Sequence, residues 1–302
     1  QSPGALVVIE TELWPNLIAR CQAHAVPVIL ANGRLSPKSY RRYQRFSRLF
    51  KPMWAALSGA CMQFAEDAAR AKQLGIQPAV IFEVGSVKLD QTLARPDSEQ
   101  IDALRTKTGS RRLAVLMSSH AQDEIAILDA LDWRDPTLPR LLIVPRHPHR
   151  GAEVLEACAQ RTLTATRLSE GLPETEVDVL IGDTFGQMAT YLTVADVVII
   201  GGSFAGRGGQ NPVEPASLAK PILAGASMYN FQASSDALEA AGGLRRVHPS
   251  TLADALTWAE TAGAAEGARV GQQWIQSNQG SSDRQATRIL QILTESNRSE
   301  MR

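Results

Sequence analysis

The chain has almost nothing with which to cross-link itself. Its three cysteines, Cys21, Cys61 and Cys158, lie far apart and form no C-x-x-C pair. That argues against a disulfide framework and a cysteine zinc site, and a reducing compartment is the simplest reading. No apolar run reaches the roughly 18 residues of a membrane helix, so a soluble chain is expected. Net charge is absent too: 31 Lys and Arg balance 31 Asp and Glu. A general polyanion-binding role and a nucleic-acid partner therefore gain no support, although a local basic patch remains open. There is no internal repeat and no low-complexity tract. There is also no initiator Met, and the opening QSPGALVVIE runs almost at once into a strand-like segment. The expectation is a fragment of an N-terminally truncated protein whose first domain is incomplete.

What is present is 302 residues, 44% of them apolar, enough for one large domain or two medium ones. Short β-branched runs alternate with helix-like stretches. ALVVIE (5–10) precedes a helix from Pro15 to His24, and PVILAN, GACMQFA, AVIFEVG, LAVLMSS, LLIVPR, VDVLIGD, ADVVIIGG and PILAG continue the series. Near-continuous apolar strands between helices predict parallel sheets covered on both faces. The fold class expected is α/β with two Rossmann-type domains. The polar stretch QTLARPDSEQ puts a boundary near residues 88–112, giving domains 1–99 and 100–302. SSDRQATRILQIL near the end reads as a helix that packs back on the first domain.

Ligands of open parallel sheets bind beyond the carboxyl ends of the strands, so the residues after each apolar run are the candidates. The most distinctive follow ADVVII: GGSFAGRGGQNPVEPA (201–216) holds five glycines in nine residues. Gly201, Gly202, Gly206, Gly208 and Gly209, with Ser203 among them, would let backbone N–H groups approach a ligand. Asn211 reads as an N-cap, Pro212 as the first helical residue, and Glu214 falls where a capping-box acid sits. The helix start would suit a phosphate. Glu214 is either that cap or the carboxylate that holds two ribose hydroxyls; the preceding glycines favour the second.

The other strand ends carry weaker signals. Arg146 ends LLIVPR and offers a rigid fork for phosphate or carboxylate. His147 and His149 suggest a metal pair, which the lack of a third ligand argues against. In GDTFGQMA (182–189), Asp183 or Thr184 is expected to cap a helix, with the N–H groups of Phe185, Gly186 and Gln187 facing a ligand. Glu10, Glu12, Arg34 and Lys88 end strands of the first domain. Glu12 is either a functional carboxylate or a helix cap. Lys88 either stabilises developing negative charge or is a solvated turn residue. In RLSPKSYRRYQRFSRLFKPMW (34–54), Tyr43, Phe46, Phe50 and Trp54 share one face of a helix, with Arg41, Arg42, Arg45 and Arg48 around them. That helix suits an anionic membrane surface or an acidic substrate, or simply a core position with a solvated basic face.

ETELWPN (10–16), NGRLS (32–36), GSVKLD (85–90), VPRHP (144–148), GDTFGQM (182–188) and GGSFAGRGGQNPVEPA together resemble, in order and spacing, the bacterial 3-deoxy-D-manno-octulosonic acid (Kdo) transferases. The resemblance implies a GT-B-like fold. It implies transfer of Kdo from CMP-Kdo to a lipid A precursor, lipid IVA, with inversion, no metal and no cofactor, at the cytoplasmic face of the bacterial inner membrane. It implies CMP contacts from Pro145 and Arg146, from Phe185, Gly186 and Gln187, and from Asn211, Pro212, Val213 and Glu214. It gives Glu10 and Lys88 the stabilisation of the transition state and places the general base, a Glu, upstream of residue 1. Three departures stand out. Gly33 replaces the usual Ala of N-A-R, Gln210 replaces a His, and Ser119-His120-Ala121-Gln122-Asp123 replaces T-H-x-G-E, which leaves the role of His120 and its turn open. Two other readings compete: another GT-B enzyme using a UDP-sugar, and a nucleotide-binding module without catalysis.

Overall fold

The computed structural model describes residues 3–90, 93, 96, 98–108 and 111–300, with backbone alone at 107–108 and 296–300. The chain divides into two compact units, one of Gln1–Gln91 with Asn278–Arg302 and one of Thr92–Ser277. The division falls earlier than the expected 99/100. Residues 99 and 100 lie inside the helix Ser98–Thr108, which packs on the helix Met188–Val194 of the second unit.

The first unit holds a four-stranded sheet: β1 (Leu6–Ile9), β2 (Val28–Gly33), β3 (Gly59–Met62) and β4 (Ile81–Glu83), in the order β1-β2-β3-β4. Every pairing is parallel. β2 is buried at all six positions, as an inner parallel strand covered on both faces must be. The terminal helix Ser281–Glu300 belongs to this sheet. A Cβ on Gly59 of β3 would stand 2.3 Å from Ile292 Cδ1, so the glycine leaves room for that side chain against the strand. Asp90 fastens the helix start, accepting from the N–H groups of Gly280, Ser281 and Ser282 at 2.7, 3.2 and 2.6 Å.

The basic segment is not one helix. It forms Pro37–Arg45 and Ser47–Ala55, broken at Phe46. Ser36 caps the first, accepting from Ser39 N–H at 3.1 Å. The break has a packing reason. Along a straight helix Tyr43 and Trp54 would stand about 16 Å apart, yet their rings meet edge to face at 5.1 Å, and Tyr43 meets Phe50 at 5.0 Å. Tyr43 and Trp54 enter the core, while the bend turns Phe46 and Leu49 outward to 51% and 69% exposure.

The second unit holds seven parallel strands: β5 (Leu113–Ser119), β6 (Arg140–Pro145), β7 (Ala165–Arg167), β8 (Val179–Ile181), β9 (Val197–Ile200), β10 (Ile222–Ala224) and β11 (Leu244–Arg246). Their order is β11-β10-β9-β5-β6-β8-β7. The chain builds outward from β5 on one side, then returns to lay β9 on the other. β5 and β9 therefore frame the point where strand order reverses, the usual crevice of such sheets. β7 and β11 escape the sequence reading because they are three-residue edge strands, ATR and LRR, with no apolar run.

Candidate functional site

In the first unit, folding gathers the ends of the sheet. Glu10 closes β1 with φ 59° and Asn32 lies near the end of β2 with φ 50°. Left-handed backbone is uncommon outside glycine, and a carboxylate held in it at a strand end is a functional candidate. Lys88 Nζ lies 3.5 Å from Glu10 Oε1, with both side chains partly exposed. Asn32 joins the group by accepting from Val87 N–H at 3.3 Å, and Thr11 donates its hydroxyl to the Arg34 carbonyl. The expected pair Glu10 and Lys88 is thus brought together. Glu12 is exposed and does not cap the following helix, whose N-cap is Trp14 with no side-chain cap bond.

In the second unit, the glycine loop corrects the expectation drawn from it. Its N–H groups are largely satisfied from within. Gly202 N–H donates to Asp123 Oδ2 at 2.7 Å, and those of Phe204 and Ala205 to Asp123 Oδ1 at 3.1 and 3.2 Å. Gly208 donates to Ser227 Oγ at 3.0 Å. Arg207 and Gly209 donate to the Gly202 carbonyl, and Gln210 to that of Gly201. Ser203 is 1% exposed and turns inward; its hydroxyl donates to Ile200 O at 2.6 Å and accepts from Gly225 N–H at 2.8 Å. Gly202, Gly208 and Gly209 therefore shape the loop rather than present open amides, and Ser203 braces it through its inward hydroxyl. Glycine is required for that shape at two places. A Cβ on Gly201 would stand 2.4 Å from Ser118 O, and Gly209, at φ 71°, would drive one to 2.1 Å from Met228 Sδ.

The helix after the loop is also less than expected. It spans Val213–Ser217, with Pro212 as N-cap, too short for a strong dipole. Asn211 still acts as a capping side chain, accepting from Val213 N–H at 3.0 Å. Its amide donates to Glu214 Oε1 at 3.3 Å. Glu214 is half-buried, and burial raises its carboxyl above the ordinary value, while Asn211 and the nearby Arg146 guanidinium pull it down.

Across the crevice, His120 follows β5 and begins the helix Ala121–Leu128. Its Nε2 lies 3.4 Å from Gln210 Nε2, so the glycine loop closes on the turn whose role the sequence left open. Burial lowers the His120 imidazole below its usual value, and Arg207, His147 and Arg150 add to the effect against Asp123. Arg146 is exposed at the end of β6 and ties its N–H to Ser119 O at 2.9 Å. His147 lies beside His120 with ring centroids 6.5 Å apart and stacks on His149 at 5.7 Å. The second unit thus gathers Arg207 and His147 around His120 and sets Arg146 near the carboxylate of Glu214. Such a grouping suits an anion with a hydroxyl-bearing neighbour. Among the described residues, no three His, Cys, Asp or Glu side chains converge on a metal position.

The turn after β8 also differs from its sequence reading. Asp183 caps no helix: it accepts from Arg167 Nε at 2.7 Å and from the N–H and hydroxyl of Ser169 at 3.0 and 2.7 Å. Burial works to raise its carboxyl, but these donors outweigh it and hold the group below the ordinary value. Gln187 is the N-cap of the helix Met188–Val194, with no side-chain cap bond. Phe185 is 89% exposed, and Gly186 has φ 80°. Beside this turn opens a cavity of about 540 Å³, lined by Thr184, Phe185, Gln187 and Tyr191 and, across it, by Ser169 and Leu104.

Sequence reasoning left the turn that holds Asp123 without a role and missed two residues that build this site, Glu124 and Arg150. Glu124 receives the Arg150 guanidinium on both oxygens at 2.8 and 2.9 Å. The available signal was an Asp-Glu pair in the first turn of a helix that starts at the strand-order reversal.

The comparisons agree with the geometry. A family model described as 3-Deoxy-D-manno-octulosonic-acid transferase (kdotransferase) matches residues 1–91. The chain is 34% identical over 265 residues to the 3-deoxy-D-manno-octulosonic acid transferase of Bordetella pertussis, covering 85% of this chain and 61% of that relative. It thus spans less than two thirds of the relative's length. The solved C-terminal CMP-Kdo binding domain of WaaA from Acinetobacter baumannii matches with a TM-score of 0.54 and 25% identity, over 59% of this chain and 97% of that one. Anabaena Alr3699/HepE in complex with UDP has a TM-score of 0.55 over 96% of this chain and 79% of that one; at 13% identity, this is a likeness of fold. With its two parallel α/β units of GT-B type, the chain is similar over most of its length to the 3-deoxy-D-manno-octulosonic acid (Kdo) transferases.

Proposed function

We propose that the protein transfers Kdo from CMP-Kdo to a lipid A precursor, lipid IVA, in lipopolysaccharide core biosynthesis, and that this chain carries its donor site. The observation that carries the reading is the crevice between β5 and β9, where Arg146 lies near the half-buried Glu214 and the glycine loop meets His120 through Gln210. In this reading Glu214 accepts from both ribose hydroxyls of CMP, and Asn211 holds it in place through the 3.3 Å contact. Arg146 takes the phosphate with Pro145, in place of the glycine-loop amides that are already satisfied. The backbone of Phe185, Gly186 and Gln187 meets the cytosine, while Pro212 and Val213 form the wall beneath the ribose. Glu10 and Lys88 act on the transferring sugar, with Lys88 stabilising negative charge and Glu10 fixing its ammonium. Glu12 and Arg34, at the same strand ends, are assigned supporting roles.

The reaction as proposed is inverting and uses neither metal nor cofactor. The acceptor hydroxyl attacks the anomeric carbon opposite the phosphate, a base takes its proton, and CMP leaves with the bonding pair. Work would take place at the cytoplasmic face of the inner membrane. An outward patch of Phe46 and Leu49 beside Arg41, Arg42, Arg45 and Arg48 supports contact between residues 37–54 and an anionic surface. Among the described residues, no helix is long and apolar enough to cross a membrane. The test is an assay of the complete protein with CMP-Kdo and lipid IVA. Acceptor-dependent release of CMP, with Kdo recovered on the lipid, is expected. CMP binding without transfer would leave a nucleotide-binding module, and transfer from a UDP-sugar would move the chain to another GT-B activity.

A further inference from the structure

We propose that Asp123, seconded by its neighbour Glu124, is the positioning residue of the donor crevice, fixing the two loops that carry Arg146 and Glu214 without touching the donor itself. The inference rests on the donor reading above and adds a residue to it. Asp123 is 0% exposed and is balanced by four backbone N–H groups. Oδ2 accepts from His120 at 3.0 Å and Gly202 at 2.7 Å. Oδ1 accepts from Phe204 and Ala205 at 3.1 and 3.2 Å. Two of the loop's later amides close back on the Gly202 carbonyl, and Gln210 closes on Gly201. Fixing residues 202–205 therefore fixes where Gln210 meets His120 and where the chain sets out toward Asn211 and Glu214.

Glu124 does the corresponding work on the other side. It accepts from Ser119 Oγ at 2.8 Å and grips Arg150 with both oxygens. Arg150 ends the short turn that begins at Arg146, so one helix start, at the point where strand order reverses, ties down both walls. The division of labour between the two oxygens of Asp123 gives the idea its sharpest consequence. An Asn at 123 keeps one acceptor oxygen and turns an NH₂ toward the other pair of N–H donors, so one pair must lose its partner. A Glu keeps both oxygens.

The measurement is amide hydrogen exchange on the 302-residue chain, combined with calorimetric titration of CMP. In the wild-type chain, the amides of Gly202, Phe204 and Ala205 should exchange slowly although they lie in a loop; fast exchange at these three overturns the proposal, and this arm needs no variant. In Asp123→Asn, exchange across 202–205 should quicken while β5 and β9 keep wild-type protection, and the Kd for CMP should rise about tenfold or more. Asp123→Glu should lie nearer wild type in both readings. An Asn variant that binds CMP within about twofold of wild type, one whose strands lose protection along with the loop, or a Glu variant no better than Asn, each contradicts the positioning role. If the wild-type chain binds no CMP, the donor reading fails, and the exchange arm still decides whether Asp123 holds the loop.

Discussion

Replacing Glu214 with Gln separates the two roles its position allows. The Gln is nearly isosteric and keeps an acceptor for Asn211, so a purely local cap changes little in shape. It removes the charge that would strengthen hydrogen bonds from two ribose hydroxyls. At about 1.5 kcal/mol for each charge-assisted bond, the loss is roughly 3 kcal/mol, or about a hundredfold in the Kd for CMP. Stability should move the other way. The folded-state carboxyl is raised by burial, which Asn211 and Arg146 only partly offset. The folded state thus binds the proton more tightly than the unfolded chain. Relative stability is fully present below the unfolded value and declines as pH rises through the raised one, so ionised Glu214 costs stability near pH 7. E214Q should therefore melt at the same temperature as wild type or above it at neutral pH, while CMP affinity collapses. Calorimetric titration and a thermal melt read the two quantities. Affinity within about twofold of wild type, together with a lowered melting temperature, would refute the reasoning and leave Glu214 as a structural cap.

Lys88→Ala in the complete protein should slow turnover more than it weakens CMP binding, and because the Glu10 ion pair is exposed, stability should shift by no more than about 0.5 kcal/mol; a change in affinity alone would remove Lys88 from the chemistry. Asp90→Ala strips the start of the helix Ser281–Glu300 of its acceptor and should cost about 1–2 kcal/mol in urea unfolding. Burial works to raise the Asp90 carboxyl, but the Ser282 hydroxyl and three backbone N–H donors outweigh it and leave the group below the ordinary value. Its contribution is thus present above the unfolded carboxylate value and is lost as pH falls through the lowered one; equal wild-type and variant stability near neutral pH would contradict the cap. Phe46→Ser combined with Leu49→Ser should weaken sedimentation with phosphatidylglycerol vesicles while leaving the melting temperature nearly unchanged, since both side chains are exposed; undiminished sedimentation would remove this patch from membrane contact.

The strands of both sheets were legible where burial on two faces demands apolar runs, as in β2, β5, β6 and β9. The edge strands β7 and β11 carry no such demand and left no mark. The bend at Phe46 was hidden because a continuous helix and a broken one place Tyr43, Phe50 and Trp54 on the same side; only the ring contacts distinguish them. Of the candidate residues, Glu10, Lys88 and Arg146 could be located from strand ends, and Glu214 from the capping pattern that follows the glycine run. The glycine loop was legible as a functional element but not in its workings. Its amides answer to a carboxylate 79 residues earlier in the chain, a pairing no local pattern encodes. What the glycines secure is close approach to Ser118 and Met228 and four positive φ angles, so the loop that looks most pliable in sequence is among the most tightly bonded.

The central claim is that the crevice between β5 and β9 receives a cytidine monophosphate donor. Titrating CMP and UDP separately into the wild-type chain at neutral pH tests it most directly. One saturable site for CMP, with UDP weaker by about tenfold or more, is the predicted result. UDP binding as tight as CMP, or no binding of CMP, would contradict it.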